Sequence, residues 1–168
     1  MRGMSVQEKF TKIHEKEADA IFRFSLLRTS DRDVAMDLTQ DAFMKLWDKL
    51  STKQVVENPR AFLFAVTRNA IIDWYRKKKT VSLEKINEDT EGEKEFAIIE
   101  SVAEQDSEVL AILKILNSLD ENYREVVYMR YVEELKPREI ADILGENTNV
   151  ISVRINRGLK ELRKRFKI

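Results

Sequence analysis

Apolar residues in this chain recur at every third or fourth position through one segment after another, and they never alternate with polar residues long enough to build a strand. Only two prolines and four glycines interrupt these segments. Such a chain is confined to helices that each bury one stripe, so the expected fold class is all-α. Phe10, Ile13, Ala20, Phe24 and Leu27 trace the first stripe, with a stop near residues 28–30. Asp31 is placed to start a second helix, in which Val34, Ala35, Leu38, Ala42, Leu46, Trp47 and Leu50 pack one side. Asp37, Gln40, Asp41, Met44, Lys45 and Asp48 are left more exposed, an acidic and amide-bearing face suited to a partner protein or simply to solvent.

A polar loop over residues 51–57 leads to Asn58-Pro59, a helix start with proline at an early position. The helix that follows, expected from Arg60 to about Lys79, is apolar almost all round and so is expected to be central. One line breaks that pattern: Phe62, Asn69, Asp73, Arg76 and Lys77 share a face, and the helix ends in Tyr75-Arg76-Lys77-Lys78-Lys79. Cations beside aromatics can follow a phosphate backbone and stack unpaired bases; a core helix with a snorkelling end is the plainer alternative.

Thirty basic and thirty acidic residues cancel, so binding to a polyanion would have to come from charge separation along the chain. That separation exists. Residues 80–108 hold ten acids against Lys85 and Lys94, whereas residues 1–79 carry an excess of cations. The stretch 80–106 reads as a flexible acidic tether, with a helical turn around Phe96 to Ile99. The expected organisation is an N-terminal helical domain (1–79), an acidic linker (80–106) and a C-terminal helical domain (107–168). The absence of cysteine excludes disulfides and thiolate metal sites. No run reaches transmembrane length and the N-terminus lacks a signal-peptide core, so a cytoplasmic protein without membrane insertion is expected.

The C-terminal domain opens with Val109, Ile112, Leu113, Leu116 and Leu119 on one face. Asp120 is expected to cap the next helix, with Tyr123, Val126, Val127 and Tyr131 inward and Arg124 and Arg130 outward. Lys136-Pro137-Arg138-Glu139 then opens a helix-turn-helix: Ile140, Ala141, Ile143 and Leu144 form its first helix, Gly145 supplies the turn, and Asn147 caps the second helix. Ile151, Ile155, Leu159, Leu162 and Phe166 pack that second helix, leaving Asn149, Val153, Asn156, Arg157, Lys160 and Lys164 outward. From Asn147 to the end, seven cations face a single acid, Glu161. A merely solvated face would mix signs, so this helix is expected to enter the DNA major groove.

In this order the parts resemble a bacterial RNA polymerase sigma factor of the two-domain extracytoplasmic-function group, and the resemblance covers nearly the whole chain. Asp37-Leu38-Thr39-Gln40-Asp41-Ala42-Phe43-Met44-Lys45-Leu46-Trp47 resembles the family's core-polymerase-binding helix. Asn58 through Leu63, Thr67-Arg68-Asn69 and Asp73-Trp74-Tyr75-Arg76 resemble its promoter-melting helix, and Leu135 to Arg165 is similar to its minus-thirty-five domain. The resemblance implies that Asp37, Gln40, Asp41, Phe43, Lys45 and Trp47 make or support contact with core RNA polymerase, through its beta-prime subunit, with the beta subunit also a partner. It places Phe62, Asn69, Asp73, Arg76 and Lys77 at minus-ten DNA, with the loop before Asn58 capturing a flipped base. It places Asn149, Ser152, Val153, Arg154, Asn156, Arg157 and Lys160 at minus-thirty-five DNA, Arg154 on phosphate or in a structural role. It also implies an anti-sigma factor, no cofactor, no metal and no catalysis. The chain departs from the family at Phe62, usually tryptophan, at Leu119-Asp120, usually Leu-Pro, at Ser152, usually basic, and at Gly158, often alanine.

Two other readings compete. A free-standing helix-turn-helix regulator accounts for the C-terminal segment and leaves Arg60 to Lys79 without a role. A helical metalloenzyme built on Asp33, Asp37, Asp41, Asp73 and His14 has carboxylates at the right spacing, yet a single histidine and no Glu-x-x-His pair.

Overall fold

The computed structural model describes residues 3–84 and 107–167, all of whose regular elements are α-helices. The chain divides into two compact units, Met1–Asp89 and Thr90–Ile168. The helical turn expected around Phe96 to Ile99 lies outside the described residues.

The first unit is built from α1 (Val6–Thr29), α2 (Arg32–Ser51) and α3 (Pro59–Glu84), each packed on the other two. Helix α1 starts in a capping box: the Glu8 N–H donates to Ser5 Oγ at 3.1 Å, and the Ser5 N–H donates to the Glu8 carboxylate at 2.8 Å. The Ser5 backbone bond, helped by the Ser5 hydroxyl, holds the Glu8 carboxyl below its ordinary pKa. Ser30 ends the helix in the left-handed region at φ 53°, and one residue later Asp31 Oδ1 accepts from the Val34 N–H to begin α2. Asn58 does the same for α3, accepting from the Ala61 N–H at 3.0 Å just before Pro59.

Ile21, Phe24, Ala35, Leu46, Leu63, Phe64 and Ile71 form the centre of this unit, with Phe24 and Phe64 edge to face at 5.2 Å. Three buried hydroxyls, on Ser25, Thr29 and Thr67, are satisfied by carbonyls one turn back. Glu17 is buried as well, and Arg60 at the start of α3 pairs with it while lying over the Phe64 ring. Helix α3 is less enclosed than its composition predicts. Leu63, Phe64, Thr67 and Ile71 are buried, whereas Ala65, Val66, Ile72 and Trp74 are only half-buried, because two neighbouring helices cover little more than one side. The helix also runs past Lys79 to Glu84.

The second unit contains α4 (Ser107–Asn117), α5 (Glu121–Tyr131), α6 (Pro137–Leu144) and α7 (Thr148–Phe166). Its core draws on Leu116, Val126, Met129, Leu135, Ile140, Ile151 and Ile155. Asp120 occupies the N-cap of α5 without a side-chain cap bond. Arg124, expected outside, instead folds back to donate to the carbonyls of Leu116, Asn117 and Leu119, closing the end of α4. Arg130 likewise reaches the Leu135 carbonyl at 3.3 Å. Tyr131, expected inside, is 53% exposed: α5 ends there, the chain reverses through Glu134 at φ 55°, and Leu135 takes the interior position. Buried Tyr128 donates its hydroxyl to the equally buried Glu133 carboxylate at 2.6 Å.

The helix-turn-helix forms as its sequence signals suggest. Lys136 has no acceptor to offer α6, and Glu139 compensates by accepting from the Lys136 N–H at 2.7 Å. Gly145 ends α6 at φ 65°, a conformation that costs glycine nothing. Asn147 then accepts from the Asn149 N–H at 2.8 Å. Gly158, in the middle of α7, is buried: a Cβ there would stand 2.7 Å from Val127 Cγ2 and 3.3 Å from Tyr123 Cβ. The glycine that weakens α7 as a helix is what lets it approach α5 this closely.

Candidate nucleic-acid and protein interfaces

Three helix faces carry the side chains singled out by sequence. On α2, Asp37, Gln40, Asp41 and Lys45 are exposed, and Met44, 64% exposed, lies among them. Phe43 is buried, so it cannot present its ring to a partner. It sits edge-on to Phe10 at 6.1 Å and 4.6 Å from His14, and Phe10 in turn meets Trp47 at 5.2 Å. This aromatic cluster braces the α2 face against α1, leaving Trp47 partly exposed at its edge. The result is a rigid strip of carboxylates and amide with a thioether at its centre, suited to basic and apolar groups of another protein.

On α3, Asn69, Asp73, Arg76 and Lys77 are exposed along one side, and Phe62 is half-buried at its start with Lys49 Nζ 5.9 Å from the ring centre. Arg76 and Asp73 approach to 3.8 Å, but both remain largely solvated, so the pair restrains Arg76 weakly. Tyr75 fixes this end of the helix by donating its hydroxyl to the Arg28 carbonyl of α1. Lys78 lies over Trp74, which stacks edge-on against Tyr75. The loop from α2 to α3 is pinned where it leaves α2: Lys49 Nζ donates to Gln54 Oε1 and the Gln54 N–H to the Lys49 carbonyl, each at 3.0 Å. Lys53 takes φ 56° to make that turn, and Val55 beyond it is 84% exposed. The exposed Val55 is not visible in periodicity, because it lies in no periodic element.

On α7, Asn149, Val153, Asn156, Arg157 and Lys160 all face solvent. Ser152 and Arg154 are half-buried, and Arg154 Nη2 donates to Glu146 Oε1 at 2.9 Å across the turn. Of the seven α7 residues expected at DNA, Arg154 is the one whose side chain makes an ion pair with the preceding turn. Phe166, expected to pack inward, is 43% exposed at the end of the helix, where no neighbouring element covers it. Lys164 lies 3.8 Å from Glu161, and Arg165 reaches back to the Ser118 carbonyl.

Among the described residues no three His, Asp or Glu side chains gather where they could hold a metal ion, so Asp33, Asp37, Asp41, Asp73 and His14 do not form a donor set. No described helix is long and apolar enough to cross a membrane. The described residues thus hold a helix-turn-helix unit whose second helix is amide-rich and cationic, and a three-helix unit with an acidic face and a basic face.

The comparisons with known proteins agree. Residues 13–81 match the family model for sigma-70 region 2, and residues 109–162 match that for sigma-70 region 4. The chain is 30% identical over 135 residues to the ECF RNA polymerase sigma factor SigM of Bacillus subtilis (strain 168), covering 80% of each chain. It is 26% identical over 142 residues to the RNA polymerase sigma factor SigV of the same organism, covering 84% of this chain and 81% of that one. Among solved structures, the sigma factor RpoE of Bartonella quintana, in complex with the anti-sigma factor NepR, shares the fold with TM-score 0.70 and 22% identity over 95% of this chain and 98% of that one. The chain belongs to the extracytoplasmic-function group of RNA polymerase sigma factors, and it is a promoter-recognising initiation factor.

Proposed function

We propose that the three exposed faces divide the work of initiation. The α2 strip of Asp37, Gln40, Asp41, Met44 and Lys45, braced by Phe43 and Trp47, docks on core polymerase at its beta-prime subunit. The α3 line of Asn69, Asp73, Arg76 and Lys77, with Phe62 and the loop carrying Val55, engages the minus-ten element as it opens. Flipping a base costs a few kcal/mol of unstacking, which contacts to polymerase and DNA can offset without nucleotide hydrolysis, so the protein acts without catalysis of its own. The α7 face holds the minus-thirty-five element, with Arg157 and Lys160 supplying charge-assisted contacts. The acidic stretch after α3, residues 85–106 rather than 80–106, acts as the connector between an N-terminal and a C-terminal domain.

The observation that carries this reading is the chemical contrast between the α2 and α7 faces. An acidic strip repels a phosphate backbone and an amide-cation face attracts it, so the two are suited to different partners. A free-standing regulator would need no such strip on its other domain. By analogy with the solved sigma factor bound to an anti-sigma factor, a protein inhibitor is expected to hold this chain as well, in the cytoplasm where polymerase works. The test is reconstitution with bacterial core RNA polymerase on a genomic promoter library. Co-elution and initiation from a shared two-part motif are expected; tight operator binding without polymerase, and no initiation with it, would overturn the assignment.

A further inference from the structure

Met44 is the most exposed methionine among the described residues, and it stands in the middle of the α2 strip. The other three are placed differently. Met129 is fully buried in the second unit, and the sulfur of Met4 accepts from Lys12 Nζ at 3.3 Å, which engages a lone pair beside a positive charge. Met36 is 46% exposed, two turns before Met44 on the same line of α2, with Gln40 between them. A thioether open to water is within reach of two-electron oxidants, and one enclosed in a core is not. Gln40, Asp41, Trp47 and Asp48 stand one turn from Met44 on either side, so any change at its sulfur falls inside the docking strip.

The thioether is soft and apolar, and its flexible chain fills gaps between rigid surfaces. Its sulfoxide is polar and carries an oxygen that gives up bound water when a partner covers it. Asp41 and Asp48 are acceptors only and offer that oxygen no hydrogen bond. The oxygen also adds volume, so a surface packed against the thioether has to give way. We propose that Met44 is an oxidation site through which hydrogen peroxide, or another two-electron oxygen donor, lowers the affinity of this chain for core polymerase. The sulfur lone pair attacks one peroxide oxygen, and an S–O bond forms as the O–O bond breaks. Sulfur loses two electrons, and the departing hydroxide takes the proton of the transferred oxygen and leaves as water. Reduction by a methionine sulfoxide reductase with a thiol restores the thioether, so the modification is reversible. This rests on α2 being the polymerase-docking face.

The test uses the full chain and core polymerase. Free protein is treated with graded hydrogen peroxide, cleared of it with catalase, mapped by peptide mass spectrometry and titrated with untreated core polymerase, each chain being compared with itself before treatment. Met44 is expected to be converted at doses that leave Met129 intact. Core affinity of the wild type is expected to fall about tenfold, within the range for covering a polar group that lacks a partner, and to recover with the reductase. Met44→Leu, which keeps the volume and has no sulfur, is expected to lose less than about twofold over the same doses. Met44 no more reactive than Met129, conversion of Met44 with unchanged affinity, or the same loss in Met44→Leu would overturn the proposal. Assembled holoenzyme is treated in parallel, where Met44 is expected to be shielded. Conversion as fast in holoenzyme as in free protein would overturn the docking of α2 itself, whereas shielding with no effect of the sulfoxide on affinity would overturn the oxidation site alone.

Discussion

Gly158→Ala should have opposite effects on stability depending on residue 127. In the native background the new Cβ would lie 2.7 Å from Val127 Cγ2, closer than such atoms pack, and 3.3 Å from Tyr123 Cβ. Val127 is buried and, being β-branched, has little freedom at χ1 to swing aside. Overpacking of this kind costs about 1–3 kcal/mol, and the gain in helix propensity from glycine to alanine is about 1 kcal/mol. The net expectation is a loss of about 1 kcal/mol. Val127→Ala removes the offending methyl and leaves the looser 3.3 Å approach to Tyr123 Cβ, so in that background Gly158→Ala should stabilise by up to about 1 kcal/mol. The coupling between the two sites is then up to about 2 kcal/mol, within the range for residues in contact. Because the chain has two units, a single melting curve would blend them. Amide hydrogen exchange in α5 and α7 of the full chain isolates the relevant stability. A Gly158→Ala chain as stable as wild type, or the same sign in both backgrounds, would refute the view that this glycine exists for close approach.

Breaking the Glu17–Arg60 pair should be costly in one direction only. Arg60→Ala leaves a carboxylate that is 3% exposed with Lys16 Nζ, 4.0 Å away, as its remaining ion pair, and is expected to destabilise the first unit by about 3 kcal/mol, whereas replacing both with Glu17→Leu and Arg60→Met should restore most of it, as read by exchange in α1 and α3. Arg157→Ala should weaken promoter binding by about 1–3 kcal/mol on the preferred minus-thirty-five sequence and less on others, while Lys164→Ala should weaken all sequences alike and lower the salt slope by about 1. Equal losses on every sequence for Arg157→Ala would make it a phosphate contact. The lowered pKa of Glu8 means that its bond to the Ser5 N–H stabilises α1 above the ordinary glutamate pKa and is lost as pH falls through the depressed value. The protection of the first-turn amides of α1 relative to their intrinsic exchange rates should therefore fall in acid in the wild type and lose that dependence in Glu8→Gln.

Much of this architecture was legible because helices announce themselves through periodicity and end signals. Asp31, Asn58, Pro59, Gly145 and Asn147 mark boundaries that the structure keeps. The Ser5-to-Glu8 capping box is equally readable, since serine followed three residues later by glutamate is its signature. What a stripe cannot report is where a helix stops mattering to its neighbours. Tyr131 fits the inward spacing of α5 and is nonetheless outside, because Leu135 returns from the turn to fill the core. Arg124 looks like a solvated cation until the end of α4 needs a donor for its carbonyls. Long-range pairs leave no local trace either: Arg60 meets Glu17 from 43 residues away, and Arg154 meets Glu146 across the turn. The exposed faces of α2 and α7 were visible as patterns of residue type, but only burial separates Phe43, which braces, from Met44, which is available.

Whether three faces of one chain meet three different partners can be read by site-specific photocrosslinking within the initiation complex. A photoreactive amino acid is placed in turn at Met44, Arg76 and Arg157 of the full chain, in holoenzyme on a promoter obtained by selection. Met44 is expected to crosslink to the beta-prime subunit, Arg76 to minus-ten DNA and Arg157 to minus-thirty-five DNA, each with little label on the other two targets. Label from Met44 on DNA, or from Arg157 on the minus-ten element, would contradict that division.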